Sequence, residues 1–192
     1  MFKYSLKVNI LLVLLSAIAL AQPRTRSEST LCRVAALPSS IQDRLIHDYP
    51  KWRIQAPEDL SPRARERWEA EKPSQCPGIA SGLFEPTQER LHAVFLVPVN
   101  GNDVGYILLV FSGNNANRPN GMKIVDDSKD AKPSNFFIRG VRIGRFFDTA
   151  SKKKFHVEAQ QGILFVDAGE SEYESDIYFW SAGKYRHEPV DY

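Results

Sequence analysis

The sequence predicts an α+β fold in which two N-terminal helices pack on a mostly antiparallel β-sheet of about seven or eight strands. Three observations support this fold class. Helical patterns are confined to residues 38–71, apolar stretches of strand length recur after residue 84, and the connections between those stretches suit hairpins. The longest stretches, 91–99 and 104–111, are apolar at successive positions, which predicts a hairpin buried on both faces.

The N-terminus has the pattern of a secretory signal peptide. A cationic start precedes an apolar run over 10–20, and the run ends in Ala19-Leu20-Ala21, a small-residue cleavage site. The run is short for a membrane span. We therefore expect cleavage to remove residues 1–21 and to leave residues 22–192 as a single globular domain that does not insert into a membrane. An uncleaved N-terminal anchor is the alternative.

The charge balance of the mature chain argues against two classes of partner. The whole chain carries a formal charge of +2, and Lys3 and Lys7 lie in the predicted signal peptide, which has no acidic residue. The mature chain is therefore formally neutral. A neutral protein has no long-range field that would steer it to nucleic acid or to anionic lipid, so we expect neither as a partner.

The two cysteines, Cys32 and Cys76, are predicted to form a disulfide, because an even cysteine count in an exported protein favours one. Closing a loop of this length stabilises the fold by about 3–4 kcal/mol in the chain-entropy account. Two free thiols, or one catalytic cysteine, remain the alternative.

Two N-terminal segments carry helical patterns. Ile41, Leu45 and Tyr49 fall on one face of the first, and Pro50 ends it. The second has Pro62 in its first turn and runs through Glu71 with mixed charges, held to the core by Leu60, Ala64 and Trp68.

The later strands follow from alternating or continuous apolar patterns between turn-rich segments. Gly78 and Gly82, just before the central hairpin, are expected where the backbone makes a close approach or takes a positive φ. After the hairpin, the predicted strands are 122–125, a strand within 136–147, 155–159, 163–166, 176–180 and 184–187.

The search for known catalytic and cofactor motifs is mostly negative. There is no H-E-x-x-H, C-x-x-C, P-loop or G-x-G-x-x-G pattern. The segment Gly78-Ile79-Ala80-Ser81-Gly82 is close to a nucleophile elbow, but its serine is fourth rather than third and it precedes a strand. His92 is expected to be a hydrogen-bonded core histidine.

Two acidic segments carry oxygen ligands of the kind that calcium sites use. Residues 126–130 begin like a calcium loop, but Ala131 stands at the sixth position, where glycine is needed, and Phe137 at the twelfth, where glutamate is needed. The segment 167–176 carries five carboxylates, which would suit calcium, a basic partner or a solvated hairpin end. We predict no metal and no cofactor, and leave calcium at 167–176 open.

An aromatic group near the C-terminus is the one candidate binding surface. Aromatic side chains with polar tips suit recognition surfaces, and they equally suit cross-strand packing. The candidate residues are Tyr173, Tyr178, Trp180 and Tyr185.

Two segments resemble a known family. Residues 76–84, followed by 93–97, and the ending 177–185 resemble uncharacterised exported bacterial proteins with an FG-GAP/VCBS-like motif, in which a Gly-Phe pair leads into a calcium loop and a buried strand. The match covers about thirty residues. At the calcium-loop position this chain has Glu85–Arg90, without Asp, Asn or Gly. The resemblance implies a small exported β-rich protein with no activity attached.

These observations favour an exported, soluble, non-enzymatic protein, periplasmic or secreted. We expect a binding or inhibitor-like module that acts on a protein partner in the cell envelope. The alternative is a hydrolase of cell-envelope material that uses carboxylates of 167–176 or a His156–Glu158 pair.

Overall fold

The computed structural model describes residues 32–71, 75–100, 104–112, 116, 121–169 and 174–191. The predicted signal peptide lies outside them. In the described part of the chain, nine strands form two antiparallel sheets. Sheet A contains β1 (Trp52–Ile54), β2 (Ile79–Gly82), β3 (Leu91–Pro98), β4 (Tyr106–Ser112) and β5 (Met122–Ser128), and sheet B contains β6 (Phe136–Arg142), β7 (Gln161–Asp167), β8 (Glu174–Ser181) and β9 (Lys184–Pro189).

Three short α-helices accompany the sheets within the described ranges. They are α1 (Ser39–Asp48), α2 (Pro62–Glu71) and α3 (Thr149–Lys154). Four single 3₁₀ turns lie at Val34–Ala36, Pro57–Asp59, Pro133–Asn135 and Ile143–Arg145. None of the described helices is long and apolar enough to cross a membrane.

Sheet A is built around the central hairpin. Strands β3 and β4 pair from Leu91 opposite Ser112 to Leu96 opposite Ile107. The other edge of β3 carries two short strands in succession, β2 along its first half and β1 along its second. Strand β5 pairs with β4 across a register irregularity between Leu108 and Leu109. In sheet B, strands β6 to β9 lie side by side in chain order.

The two sheets pack face to face, and their inner faces form the central apolar cluster. Phe95 and Leu108 of sheet A meet Ile163 and Phe165 of sheet B there. The ring centroids of Phe95 and Phe165 are 5.5 Å apart in an edge-on contact. Alternate residues of the same strands point outward, as Val94 does on β3 and Leu164 on β7, and they are also buried.

Each outer face is covered by one helix. Ile41 and Leu45 of α1 lie in a cluster with outward-facing Val94 of sheet A. Ala64 and Trp68 of α2 lie in another cluster, with outward-facing residues of sheet B. The central strands of both sheets are therefore buried on both faces, and this explains why β3 and β7 are almost continuously apolar.

The predicted fold class is wrong. The fold is mostly β, with two sheets where one was expected, and the helices are not packed together on a single sheet. The error has a physical cause. Continuous apolar strands show that both faces are covered, but the pattern is the same whether a helix or another sheet supplies the cover.

The strand predicted at 155–159 does not form. Helix α3 ends at Lys154, and His156 has a positive φ of 51°. Of this segment, only Val157 makes a β-bridge, with Ser181. Alternation over a few residues is compatible with a turn whose apolar side chains, here Phe155 and Val157, contact the core beside α2.

The disulfide between Cys32 and Cys76 is confirmed, and the two Cα atoms are 5.1 Å apart. Both cysteines are buried in the cluster under α1. The close approach expected at Gly78 is also present, because a Cβ atom there would lie 2.6 Å from the carbonyl oxygen of Gln55. The disulfide and Gly78 thus hold the entry to β2 tightly against the segment after β1.

Side-chain and backbone contacts join the sheets at both edges. At one edge, Ile138 N of β6 donates to Pro77 O, just before β2, at 2.9 Å. At the other edge, Glu85 accepts from Lys123 of β5 at 2.7 Å and from Tyr185 of β9 at 3.1 Å. The two sheets therefore approach a closed, flattened barrel.

Candidate functional site

A cleft of about 450 Å³ lies at the end of the central hairpin. We call it the hairpin-end cleft. Its walls come from β1, the Pro57–Asp59 turn, the end of β3, Val104 before β4 and the turn that precedes β6. The lining includes Arg53, Asp59, Val97, Val104, Lys132 and Pro133.

One wall of the hairpin-end cleft is a fixed ion pair. Both terminal nitrogens of Arg53 donate to the two carboxylate oxygens of Asp59. Asp59 also accepts from the backbone N–H of Ala56 at 2.8 Å. The hydrogen bond to Asp59 raises the pKa of Arg53. These contacts hold the guanidinium and the carboxylate in one geometry at the cleft surface.

The rim of the hairpin-end cleft is apolar on one side and charged on the other. Val104, in the lining, is 51% exposed, and Val99, next to the lining residue Asn100, is 52% exposed. Glu58 and Lys132 contribute one charge of each sign to the lining, and both are exposed. Exposed apolar side chains beside paired charges are the surface chemistry of protein recognition sites.

A second cleft, of about 310 Å³, lies beside the disulfide. We call it the Ser–His pocket. Ser81 of β2 and His92 of β3 are directly paired across the two strands, and Ser81 Oγ is 3.0 Å from His92 Nδ1. Burial lowers the pKa of His92, and the nearby charge of Arg90 lowers it further. The imidazole is therefore neutral at pH 7, and its Nδ1 can accept the serine hydroxyl proton.

The sequence prediction placed His92 in the core and gave Ser81 no role. The structure places both on the lining of a pocket, half-buried. Nothing in the sequence pattern reveals this pairing, because it depends on the register between β2 and β3. The sequence shows only that a serine, an arginine and a histidine lie close together along the chain, at Ser81, Arg90 and His92.

Three of the four predicted surface aromatics lie together, and Tyr173 lies outside the described residues. Tyr178 is buried, and its hydroxyl donates to Asp126 Oδ2 at 2.5 Å. The hydroxyl of Tyr106 donates to the same oxygen at 2.8 Å. Burial, followed by the contact with Asp126, raises the pKa of both tyrosines.

Trp180 and Tyr185 close the neighbouring sheet edge. Their rings meet edge-on, with centroids 5.2 Å apart. Lys123 Nζ lies 4.4 Å from the Trp180 ring centroid and also pairs with Glu85, which accepts from Tyr185. Burial raises the pKa of Tyr185, and the charge of Glu85 raises it further. The described hydroxyls of this group are thus engaged within the chain, and a role in binding a partner stays a prediction.

The residues named for the hydrolase alternative are described in part. His156 and Glu158 are exposed, and Glu158 accepts from the N–H of Ala182 at 3.2 Å. In the acidic segment, Asp167 accepts from the N–H of Gly169 at 2.8 Å, and Asp176 lies 3.6 Å from His187. Residues 170–173 of that segment lie outside the described residues.

In the segment 126–130, which begins like a calcium loop, Asp126 and Ser128 have hydrogen-bond partners within the chain. Asp126 accepts from the two tyrosines, and Ser128 Oγ accepts from the N–H of Ala131 at 3.2 Å. Among the described residues, no group of three or more His, Cys, Asp and Glu side chains is placed to hold a metal ion.

Comparison with known proteins adds no relative. No family profile, no curated protein and no solved structure matches the chain. The resemblance to FG-GAP/VCBS-like proteins stays a prediction, and the functional argument depends on the clefts themselves.

Proposed function

We propose that this protein is an exported, soluble binding module for a protein partner in the cell envelope, and that it acts on that partner by occupying a surface without changing the partner chemically. The hairpin-end cleft carries the proposal. It combines the half-exposed Val104 with a preorganised Arg53–Asp59 pair and exposed charges of both signs. An apolar centre with a polar rim is the usual anatomy of a protein–protein contact.

The dimensions of the cleft favour an inserted side chain from the partner. A volume of about 450 Å³ admits one or two large side chains of a loop. Val104 would then be covered by the apolar part of that loop. Because Glu58 and Lys132 carry opposite charges, the rim selects a partner with complementary charges of both signs, and neither sign dominates.

The compartment is part of the proposal. A buried disulfide is typical of proteins in an oxidising compartment. The signal-peptide pattern over residues 1–21 gives a route there. Together they favour the periplasm or the extracellular medium.

The test is capture of a partner by immobilised mature protein and by two matched variants. Val104→Asp places a charge in the cleft, whereas Ile124→Asp places the same charge on β5, at a residue that is 59% exposed and outside the cleft. We expect one stoichiometric protein from an envelope fraction to bind the wild type and Ile124→Asp, and to bind Val104→Asp at least tenfold more weakly.

Two outcomes would overturn the proposal. Equal capture by Val104→Asp and Ile124→Asp would remove the cleft from recognition. Absence of any stoichiometric partner, together with breakdown of envelope glycan or peptide by the wild type, would favour the hydrolase alternative. Circular dichroism and a non-reducing gel check that each variant is folded and disulfide-bonded.

A further inference from the structure

The Ser–His pocket is separate from the hairpin-end cleft and is not used by the proposed binding function. Its defining contact is the 3.0 Å distance between Ser81 Oγ and His92 Nδ1. Two adjacent β-strands hold the pair, and each side chain projects from a residue directly opposite the other. The contact is therefore fixed by strand register and does not depend on a flexible loop.

The surroundings suit a serine that loses its proton to the imidazole. His92 is half-buried, and burial lowers its pKa, so the imidazole is neutral at pH 7; in the tautomer that carries its proton on Nε2, Nδ1 accepts from Ser81. Arg90 is the charged residue in the pocket lining and acts on His92 electrostatically. A cation at this place stabilises negative charge that develops on a substrate oxygen beside Ser81.

We propose that Ser81 is a nucleophile for short-chain carboxylic esters, with His92 as its general base. The volume of about 310 Å³ suits a small acyl group, which would lie against apolar lining residues such as Leu37 and Ile79. Arg90 would lie beside the carbonyl oxygen or an anionic leaving group. This activity goes beyond partner binding and belongs to a different pocket.

The reaction takes two balanced steps. In the first, Ser81 Oγ forms a bond to the ester carbonyl carbon, its proton moves to His92 Nδ1, and the carbon–oxygen bond to the leaving group breaks as the alcohol takes that proton. In the second, water attacks the acyl-serine, His92 accepts a proton from the water and returns it to Ser81 Oγ, and a carboxylic acid leaves. Water is the only co-reactant.

The experiment treats the mature, disulfide-bonded protein with a fluorophosphonate probe and then with p-nitrophenyl acetate. We expect one probe adduct, mapped by mass spectrometry to the peptide that contains Ser81. We expect ester hydrolysis to fall at least 100-fold in Ser81→Ala and in His92→Gln. The matched control is Ser112→Ala on β4, whose hydroxyl donates to Glu89 and not to a histidine.

An adduct mapped elsewhere, no adduct at all, or equal hydrolysis by wild type and Ser81→Ala would overturn the inference. Adduct mapping uses the unmodified protein, so its result stands even if a variant fails to fold. Ile124→Asp, which lies outside both pockets, should keep full probe labelling. Partner capture by Val104→Asp is measured separately, so failure of the binding proposal is distinguished from failure of this one.

Discussion

Asp126 shows how a single carboxylate can fix two strands from different sheets. It lies on β5 of sheet A and accepts from Tyr106 on β4 and from Tyr178 on β8 of sheet B. Both tyrosines are buried, so each hydroxyl would lose its hydration on folding without this partner. The carboxylate thus satisfies two buried donors at once and joins the sheets at that edge.

The first prediction is that Asp126→Ala lowers the free energy of unfolding by about 2–4 kcal/mol, because it leaves two buried hydroxyls without their acceptor. The matched control is Asp127→Ala, at the next residue, where the side chain is exposed; it should change the free energy by less than about 0.5 kcal/mol. Urea unfolding of the two variants measures the difference. Equal effects would show that the shared carboxylate does not stabilise the fold.

The second prediction concerns alkaline pH. Tyr178 has a raised pKa in the folded protein, whereas an unfolded tyrosine ionises near pH 10, as model peptides do. Its stabilisation is therefore complete below about pH 10 and is lost as the pH rises above that value. At pH 11 this tyrosine alone should lower the free energy of unfolding by about 1.4 kcal/mol relative to neutral pH.

Tyr178→Phe isolates that contribution. Between pH 8 and pH 11 the variant should lose about 1.4 kcal/mol less than the wild type, because it has one tyrosine fewer to ionise on unfolding. Urea unfolding at the two pH values gives the comparison. If the two proteins lose the same amount, Tyr178 ionises equally well in the folded state.

Contacts between residues far apart in the chain cannot be predicted from the sequence pattern. For Asp126, the pattern indicates only the start of a calcium loop, because its neighbours along the chain also carry oxygen atoms. Its actual partner Tyr178 is 52 positions away. The Ser81–His92 pair has the same character, because it exists only in one register of β2 against β3.

At the scale of elements, α1 and the disulfide cover the same face of sheet A. Cys32 precedes α1, and its disulfide ties that segment to Cys76, just before β2. Ile41 and Leu45 then lie against the outward-facing residues of β3 and β4. In the unfolded chain, the disulfide limits how far the segment before α1 can separate from the segment before β2.

The third prediction is that Cys32→Ser/Cys76→Ser lowers the free energy of unfolding by about 3–4 kcal/mol. Without the disulfide, the unfolded chain regains the conformational entropy that closure of a loop between residues 44 positions apart had removed. Reduction of the wild type should produce a shift of similar size, while the double variant should not respond to reductant. Urea unfolding with and without reductant provides the measurement. An unchanged wild type after full reduction would contradict it.

Elements with long apolar patterns were predictable and short ones were not. The continuous run over 91–97 marked β3, and the spacing of Ile41 and Leu45 marked the buried face of α1. The alternation over 155–159 was too short to distinguish a strand from the end of α3. Tertiary contacts decided the conformation there, as they commonly do for segments of this length.

For the whole molecule, the sequence showed that the central hairpin is buried on both faces but not how many sheets bury it. Phe95 on sheet A and Phe165 on sheet B belong to one interior cluster. Neither sheet has a complete core without the other. The helices complete the arrangement from outside, α1 over sheet A and α2 over sheet B.

This shared interior predicts that the two sheets unfold as one cooperative unit. Trp68→Ala removes a buried side chain that belongs to the outer cluster of sheet B, and it should lower the free energy of unfolding by about 3–5 kcal/mol. Hydrogen exchange should detect the same loss at the slowest amides of β4 in sheet A as at those of β7 in sheet B.

The reciprocal variant is Ile41→Ala on α1, which lies over sheet A and should cost about 2–5 kcal/mol. If the unit is single, this variant also lowers the protection of β4 and β7 equally. Loss confined to β7 in Trp68→Ala and to β4 in Ile41→Ala would mean two separately stable sheets. In that case the Glu85 and Asp126 contacts between their edges would be too weak to couple them, although they connect the two sheets directly.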